Sequence, residues 1–469
     1  MTLGLSFLLE WQMRRNEPWA KPNTRITARF LPSNALGSEQ YPAYRQHSPI
    51  SPYEMLVATS NMRHTNAIVD SRQTDNLGGE RSVAEFPSKR DLQTKLARGI
   101  ETADTTYGAL VPPVYRATTY HQPDPWSPST YDYARSGNPT RNLFESAMAA
   151  LEHGERGLAF SSGMAALSAF FLMFQSGDHL IVTRDCQGGT QRVLRGVFQR
   201  FGLSVSYVDT DDLDSLKSSY RENTVAVLVE NFSNPFLRVS DIEAISLWAR
   251  QKNLLVAVDN TFITPYLQNP LLLGADIVIH SATKMIGGHS DITAGVVIAK
   301  DRGLGDRLYF IQNACGAVLS PDDAYLAHRG LSTLPVRMDH ASQAAGEIAE
   351  WLASRISPER LFYPGLPTHP GHDLCRRQMR GFGQMLTFRL ASREAVAQFA
   401  HRLKLASIGA GFGGTETIVS LPELHCHAAL TSEERVERDI GGDVVRVSVG
   451  LESHHDLLSD FEQALDGLI

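Results

Sequence analysis

Cysteine is scarce in this chain: four in 469 residues, at Cys186, Cys315, Cys375 and Cys426, with no Cys-x-x-Cys pair and no zinc-like spacing. That scarcity excludes a disulfide scaffold and points to reduced thiols in the cytoplasm. His425-Cys426-His427 is the densest cluster of metal-capable side chains, but three consecutive residues seldom share a side, and no metal is expected. A basic surplus is also missing. Lys and Arg number 44 against 51 Asp and Glu, a net charge of -7, which leaves no electrostatic footprint for nucleic acid. No apolar run approaches the roughly 18 residues of a membrane span. The opening MTLGLSFLLEWQMRR carries its charges after a short apolar patch, with no small-residue cleavage site following, unlike a secretory signal. Nor is there a Gly-Lys-Ser/Thr phosphate loop. A small-molecule ligand is what these absences leave.

What is present is ordinary globular composition, 42% hydrophobic, 20% charged and 8% aromatic, in a chain long enough for two substantial domains. Residues 1–90 hold no sustained period and are rich in Pro, Ser, Asn and Arg, which reads as a disordered extension. Met55 and Met62 are alternative starts within it. Asn138-Pro139-Thr140 is a strong helix start, with Leu143, Ala147, Met148 and Leu151 on one face and Gly154 as the stop. Short apolar runs then alternate with helix-length segments: Leu158–Phe160, Leu180–Val182, Val225–Val229, Leu254–Val258, Ile277–Ile279 and Val296–Ile298. This alternation predicts an α/β fold with a mostly parallel sheet. After Gly330 a long helix around His340–Leu352, strands at Met385–Leu390 and Val444–Val449, and a closing helix bearing Leu457, Leu458, Phe461, Leu465 and Leu468 predict a smaller α+β domain.

Three stretches carry polar groups where buried strands end. In Phe160-Ser161-Ser162-Gly163-Met164 a strand runs through a glycine into a helix, which is either a plain cap or an anion site built from helix N–H groups. In Leu254-Leu-Val-Ala-Val-Asp259 a carboxylate ends a buried strand, which is either a helix cap or the partner of a bound cation. In His280-Ser-Ala-Thr-Lys284 an amine follows two hydroxyl residues, Ser281 and Thr283, and precedes Gly287 and Gly288. Such a lysine is either a solvated charge or the group that condenses with a carbonyl. Phosphate donors, an acid for a ring nitrogen and a lysine for an aldehyde together describe a site for pyridoxal 5'-phosphate.

At these residues the chain resembles the trans-sulfuration (Cys/Met metabolism) family of pyridoxal phosphate enzymes, of fold type I with an aspartate aminotransferase-like large domain. The matching stretches are YDYARSGNPTR (131–141), FSSGMAALSA (160–169), VDNTFITPYLQ (258–268), ADIVIHSATKMIGGHSDITAGVV (275–297) and VRVSVGLE (445–452). The resemblance implies an arm at 91–140 that contacts a neighbouring subunit, a cofactor-binding large domain at 141–329 and a C-terminal domain at 330–469. It implies that Lys284 carries the cofactor and shuttles protons, and that Asp259 pairs with the ring nitrogen. Gly163, Met164, Ser281 and Thr283 would hold the phosphate, with Tyr133 and Arg135 reaching in from a neighbouring subunit of a dimer or tetramer. Asn234 would lie beside the ring hydroxyl, and Arg446 would fork onto the substrate carboxylate.

The sequence departs from the family at Gln187, where a tyrosine usually stacks on the ring and handles the leaving-group proton; an amide has no such proton to give. Gly411 stands where serine is common, beside the substrate. The resemblance therefore implies a carbon–sulfur lyase of the cystathionine β-lyase kind acting on a small amino acid. γ-Replacement or γ-elimination on an O-acylated homoserine, whose carboxylate leaving group needs little protonation, is the alternative. A non-catalytic homologue that keeps the cofactor is the third.

Overall fold

Seven strands provide the frame: β1 (Arg156–Phe160), β2 (His179–Thr183), β3 (Ser204–Val208), β4 (Thr224–Glu230), β5 (Leu255–Asp259), β6 (Ile277–His280) and β7 (Gly295–Ala299). The computed structural model describes residues 91–98, 104, 106–127 and 129–469, so the extension expected over 1–90 lies outside the described residues. The strands form one sheet in the order β1-β7-β6-β5-β4-β2-β3. Pairings among β2 to β6 are parallel, and β7 alone runs antiparallel to both its neighbours. Six of these strands fall on the apolar runs anticipated from sequence. β3 does not, because SVSYV is a half-buried edge strand with polar residues on alternate positions.

Successive side chains of a strand point to opposite faces, so a sheet this apolar needs cover on both sides. Along β4, Val227 and Val229 enter one core while Ala226 and Leu228 enter another. Helix α1 (Pro139–Glu152) covers the first face with Phe144, Ala147, Met148 and Leu151. Helix α2 (Gly163–Phe171) covers the second with Ala166, Leu167, Phe170 and Phe171. α1 begins where the sequence said it would. The Asn138 side chain accepts the N–H groups of Thr140 and Arg141 at 3.0 and 3.1 Å, and Pro139, which has no N–H to leave unpaired, follows it. The short α3 (Gly188–Gly196) follows β2.

The long helix α4 (Pro321–Ala353) begins well before His340, capped by Ser320. Ala324, Ala327, Leu331, Leu334 and Met338 pack in the first core, whereas Ala344, Ala345, Ile348, Ala349 and Leu352 pack in a separate one. One continuous helix thus serves both cores, and residue 330 lies inside it. The second core is completed by a five-stranded sheet of β8 (Leu361–Phe362), β9 (Met385–Arg389), β10 (Ser407–Ile408), β11 (Ile418–Ser420) and β12 (Val444–Ser448), in the order β10-β11-β12-β9-β8. Helices α5 (Arg393–Arg402) and α6 (His454–Leu465) cover it with Val396, Phe399, Leu457, Phe461 and Leu465. β9 and β12 match their sequence runs; β8, β10 and β11 are too short to leave a periodic signal.

Candidate active site

At the carboxyl edge of the large sheet, β4, β5 and β6 end side by side on Glu230, Asp259 and His280. Beyond them lies a cavity of ≈ 220 Å³ lined by Gly163, Met164, Gln187, Glu230, Asp259, Ser281, Thr283, Lys284 and Phe412, among others. The strand-end placement is the one open α/β sheets use for ligands. The structure therefore brings together these nine residues from distant parts of the chain, seven of which were singled out from sequence: the exceptions are Glu230 and Phe412, the latter arriving from a loop of the second sheet.

Gly163 opens α2, and its N-cap Ser162 accepts the Ala165 N–H at 3.1 Å. A Cβ on Gly163 would fall 2.7 Å from the Ser281 Cβ, so only glycine lets the helix start approach the end of β6 this closely. The result is a cradle of first-turn N–H groups beside the Ser281 hydroxyl, which suits a phosphate. Thr283 is positioned differently: its hydroxyl donates to the Ala294 carbonyl at 3.1 Å and accepts the Ala294 N–H at 2.9 Å, tying the lysine segment to the start of β7.

Lys284 makes no ion pair among the described residues. Its Nζ lies 4.6 Å from the centre of the Phe412 ring, and the Arg446 guanidinium approaches the same ring at 5.1 Å. Burial first, and then the charge of Arg446, pulls the amine below the ordinary lysine value. The turn after Lys284 is held by the buried Arg337 of α4, which donates to the carbonyls of Met285 and Gly330, both at 2.6 Å. Gly288, at φ +71°, lies flat against that guanidinium, and a Cβ there would overlap it.

Asp259 accepts the Thr261 hydroxyl at 2.5 Å and the Thr261 N–H at 3.1 Å on the same oxygen. Burial pushes its carboxyl up, and the Thr261 bonds and the neighbouring His280 oppose that push. Among the described residues it forms no ion pair, which leaves a buried acid open to the cavity and suited to a protonated ring nitrogen. Gln187 faces the same cavity, but its Oε1 is taken by the Gly189 N–H at 2.8 Å as the cap of α3, and its own N–H donates to Glu230 at 2.7 Å.

Arg446, on β12 and 1% exposed, donates to Asn234 Oδ1 at 2.9 Å and to Ser420 Oγ at 3.2 Å. Neither its Nε nor the Asn234 Nδ2 has a partner. Arg446 adjoins the cavity through Phe412 and Asn234 is bonded to Arg446; neither lines the cavity, and Gly411 directly precedes the ring. A guanidinium this buried that forms no ion pair among the described residues fits a bound substrate carboxylate. Tyr133 and Arg135 stand away from the cavity: Tyr133 is 44% exposed, and Arg135 donates to Asn313 at 3.2 Å. In the His425–His427 run, Cys426 Sγ contacts His427 Nδ1 at 3.1 Å while His425 Nδ1 accepts the Leu421 N–H, so the two rings serve different partners.

Sequence reasoning passed over Glu230, Thr261 and Phe412. Glu230 had the same signal as Asp259, an acid closing a buried β-branched run. Phe412 had none, since a ring in a glycine-rich loop declares no direction.

An unpaired lysine after one strand, an acid at the end of the next and a helix start packed against Ser281 fit a fold type I pyridoxal phosphate site. Residues 93–466 match the family described as Cys/Met metabolism PLP-dependent enzyme, and the chain belongs to that family. It is 43% identical over 376 residues to a cystathionine gamma-lyase of Bacillus subtilis, covering 80% of this chain and 99% of the relative. Identity is also 43% over 375 residues to a cystathionine beta-lyase of Lactococcus lactis subsp. cremoris, with the same coverage of 80% and 99%. Among solved structures, a cystathionine gamma synthase from Xanthomonas oryzae pv. oryzae in complex with aminoacrylate and cysteine superposes with a TM-score of 0.79 at 38% identity, over 81% of this chain and 98% of that one.

Proposed function

We propose that this protein cleaves the carbon–sulfur bond of cystathionine or a similar sulfur amino acid by β-elimination, releasing pyruvate, ammonia and a thiol. The observation that carries this reading is the pairing of Lys284 and the buried Arg446 across the Phe412 ring, in a chain similar over most of its length to cystathionine lyases. Bound pyridoxal phosphate supplies the electron sink for the pair left on the substrate's Cα. The remaining work belongs to the protein. Arg446 orients the substrate by its carboxylate, and Asn234 fixes one arm of the guanidinium. Lys284, its amine shifted toward the neutral form, takes the Cα proton on Nζ. Asp259, whose anionic form is favoured by the two Thr261 bonds, would pair with the ring nitrogen. Ser281, Gly163 and Met164 hold the phosphate, with Thr283 bracing the lysine segment against β7. Tyr133 and Arg135 complete the phosphate site of a neighbouring subunit in a dimer or tetramer working in the cytoplasm, which their exposed, off-site position supports.

A second reading is favoured by Gln187. With Oε1 spent on capping α3 and no acidic proton, it gives a thiolate little help in leaving, whereas the carboxylate of an O-acylated homoserine needs none. Cofactor-loaded protein assayed in parallel with cystathionine, methionine and O-acetylhomoserine separates the two. Pyruvate from cystathionine establishes the lyase. 2-Oxobutyrate from O-acetylhomoserine, with the thioethers untouched, replaces it with γ-chemistry.

A further inference from the structure

Glu230 closes β4 in register with Asp259 on β5, so the two side chains leave the same face of the sheet. Glu230 is 8% exposed, lines the cavity with Asp259, Gln187 and Lys284, and accepts the Gln187 N–H on Oε2 at 2.7 Å. Two adjacent carboxyls in such a place do not both ionise. Which one keeps the proton follows from their partners. Asp259 takes two donors from Thr261, each favouring the anion, while Glu230 takes one. The titratable and charged groups around Glu230 are Asp259 from β5, Asp185 and Cys186 from the segment before α3, Cys426 from the loop after β11, Arg446 from β12, and Lys284 on the shared cavity. Neither base forms an ion pair with Glu230 among the described residues, and Arg446 already serves Asn234 and Ser420.

We infer that Glu230 is a positioning residue that works as a neutral carboxyl, anchoring Gln187 by its N–H and leaving Asp259 as the single anion that meets the cofactor's ring nitrogen. Burial, and then the charge of Asp259, raises the Glu230 carboxyl well above the usual range, in the direction this requires. The inference rests on the cofactor reading above and adds to it a residue that no motif in the sequence marked.

The test uses the full chain with Glu230→Gln, which keeps an acceptor for the Gln187 N–H and cannot ionise, and Glu230→Ala, which keeps neither. If the neutral form is the working one, E230Q retains cofactor affinity and the visible absorbance of the bound cofactor within about threefold of wild type, and E230A loses about tenfold or more in affinity. E230Q falling to the level of E230A would mean that the charge is needed, and overturns the inference. The second readout needs no cofactor. A raised carboxyl pKa stabilises the fold below the unfolded value, and that stability is lost as pH rises towards the folded one. The urea midpoint of the apo wild type should therefore fall relative to E230Q as pH rises from the unfolded glutamate value of about 4.3 to neutral and above. A flat difference across that range shows that Glu230 does not hold a proton, and also overturns it. Should wild type itself take up no pyridoxal phosphate, the cofactor reading fails separately, and the apo comparison still decides the protonation of Glu230.

Discussion

The two faces of the large sheet carry similar polar groups to opposite ends. On the α1 face, Glu152 accepts from His280 Nε2 at 2.7 Å, from Asn260 at 3.2 Å and from Asn269 at 3.3 Å, and Glu152, His280 and Asn260 are fully buried. On the α2 face, Glu230, Asp259 and Lys284 share a cavity, yet the lysine meets neither acid. The same strands feed both: Asp259 closes β5 and Asn260 follows it directly, and alternation sends them to opposite sides. Glu152 finds its donors within the fold and stabilises it. On the other face the acids and the amine are kept apart, and a ligand is what joins them.

That contrast can be broken from either side. Lys284→Ala should abolish the visible absorbance of bound cofactor and lower turnover by at least about 10²–10⁴-fold, with the urea midpoint little changed. Retained turnover would remove the lysine from the mechanism. On the opposite face, Glu152→Ala leaves His280 and Asn260 facing no acid and should cost about 3–5 kcal/mol in unfolding free energy, while the protein that remains folded still binds cofactor. A stable E152A with impaired cofactor binding would erase the distinction between the faces. Arg446→Lys keeps the charge but loses the fork, and the expected result is a KM raised by about 10–100-fold, equivalent to about 1.5–3 kcal/mol. Thr261→Val removes the hydroxyl bond that favours the Asp259 anion and should weaken cofactor affinity about tenfold in an equilibrium titration. The smallest effect is one of pH. Because burial and Arg446 lower the Lys284 pKa, its neutral fraction at a given pH exceeds that of an ordinary lysine. Uptake of pyridoxal phosphate by the apo protein should thus rise with pH and level off below the usual lysine range; a midpoint at the ordinary value would deny the shift.

Much of this was legible in the sequence because it is local. Hydrophobic runs gave six strands of the large sheet, Asn138-Pro139 gave the start of α1, and the hydroxyls before Lys284 marked a lysine that the fold places on the cavity. The illegible parts depend on pairing across long separations. β3 shows no apolar run because it sits at an edge. α4 looked like a helix starting near His340 because Gly330 and Pro335 interrupt its pattern, although packing on two cores carries it through both. Glu230 became a site residue only when β4 was seen beside β5, and Phe412 only when a loop of the second sheet reached Lys284. Gln187, flagged as a deficit in proton donation, has in the fold an additional task as the cap of α3.

The continuous α4 also constrains how this protein can exchange parts with its relatives. A recombination joint near residue 330 would splice two helices in mid-turn and mix the side chains that face both cores. Joining after Ala353 keeps the rod whole, but the incoming segment then brings its own Phe412 loop and its own Arg446 to a borrowed Lys284. Chimaeras made at that second joint should inherit the chemistry of one parent and the substrate preference of the other.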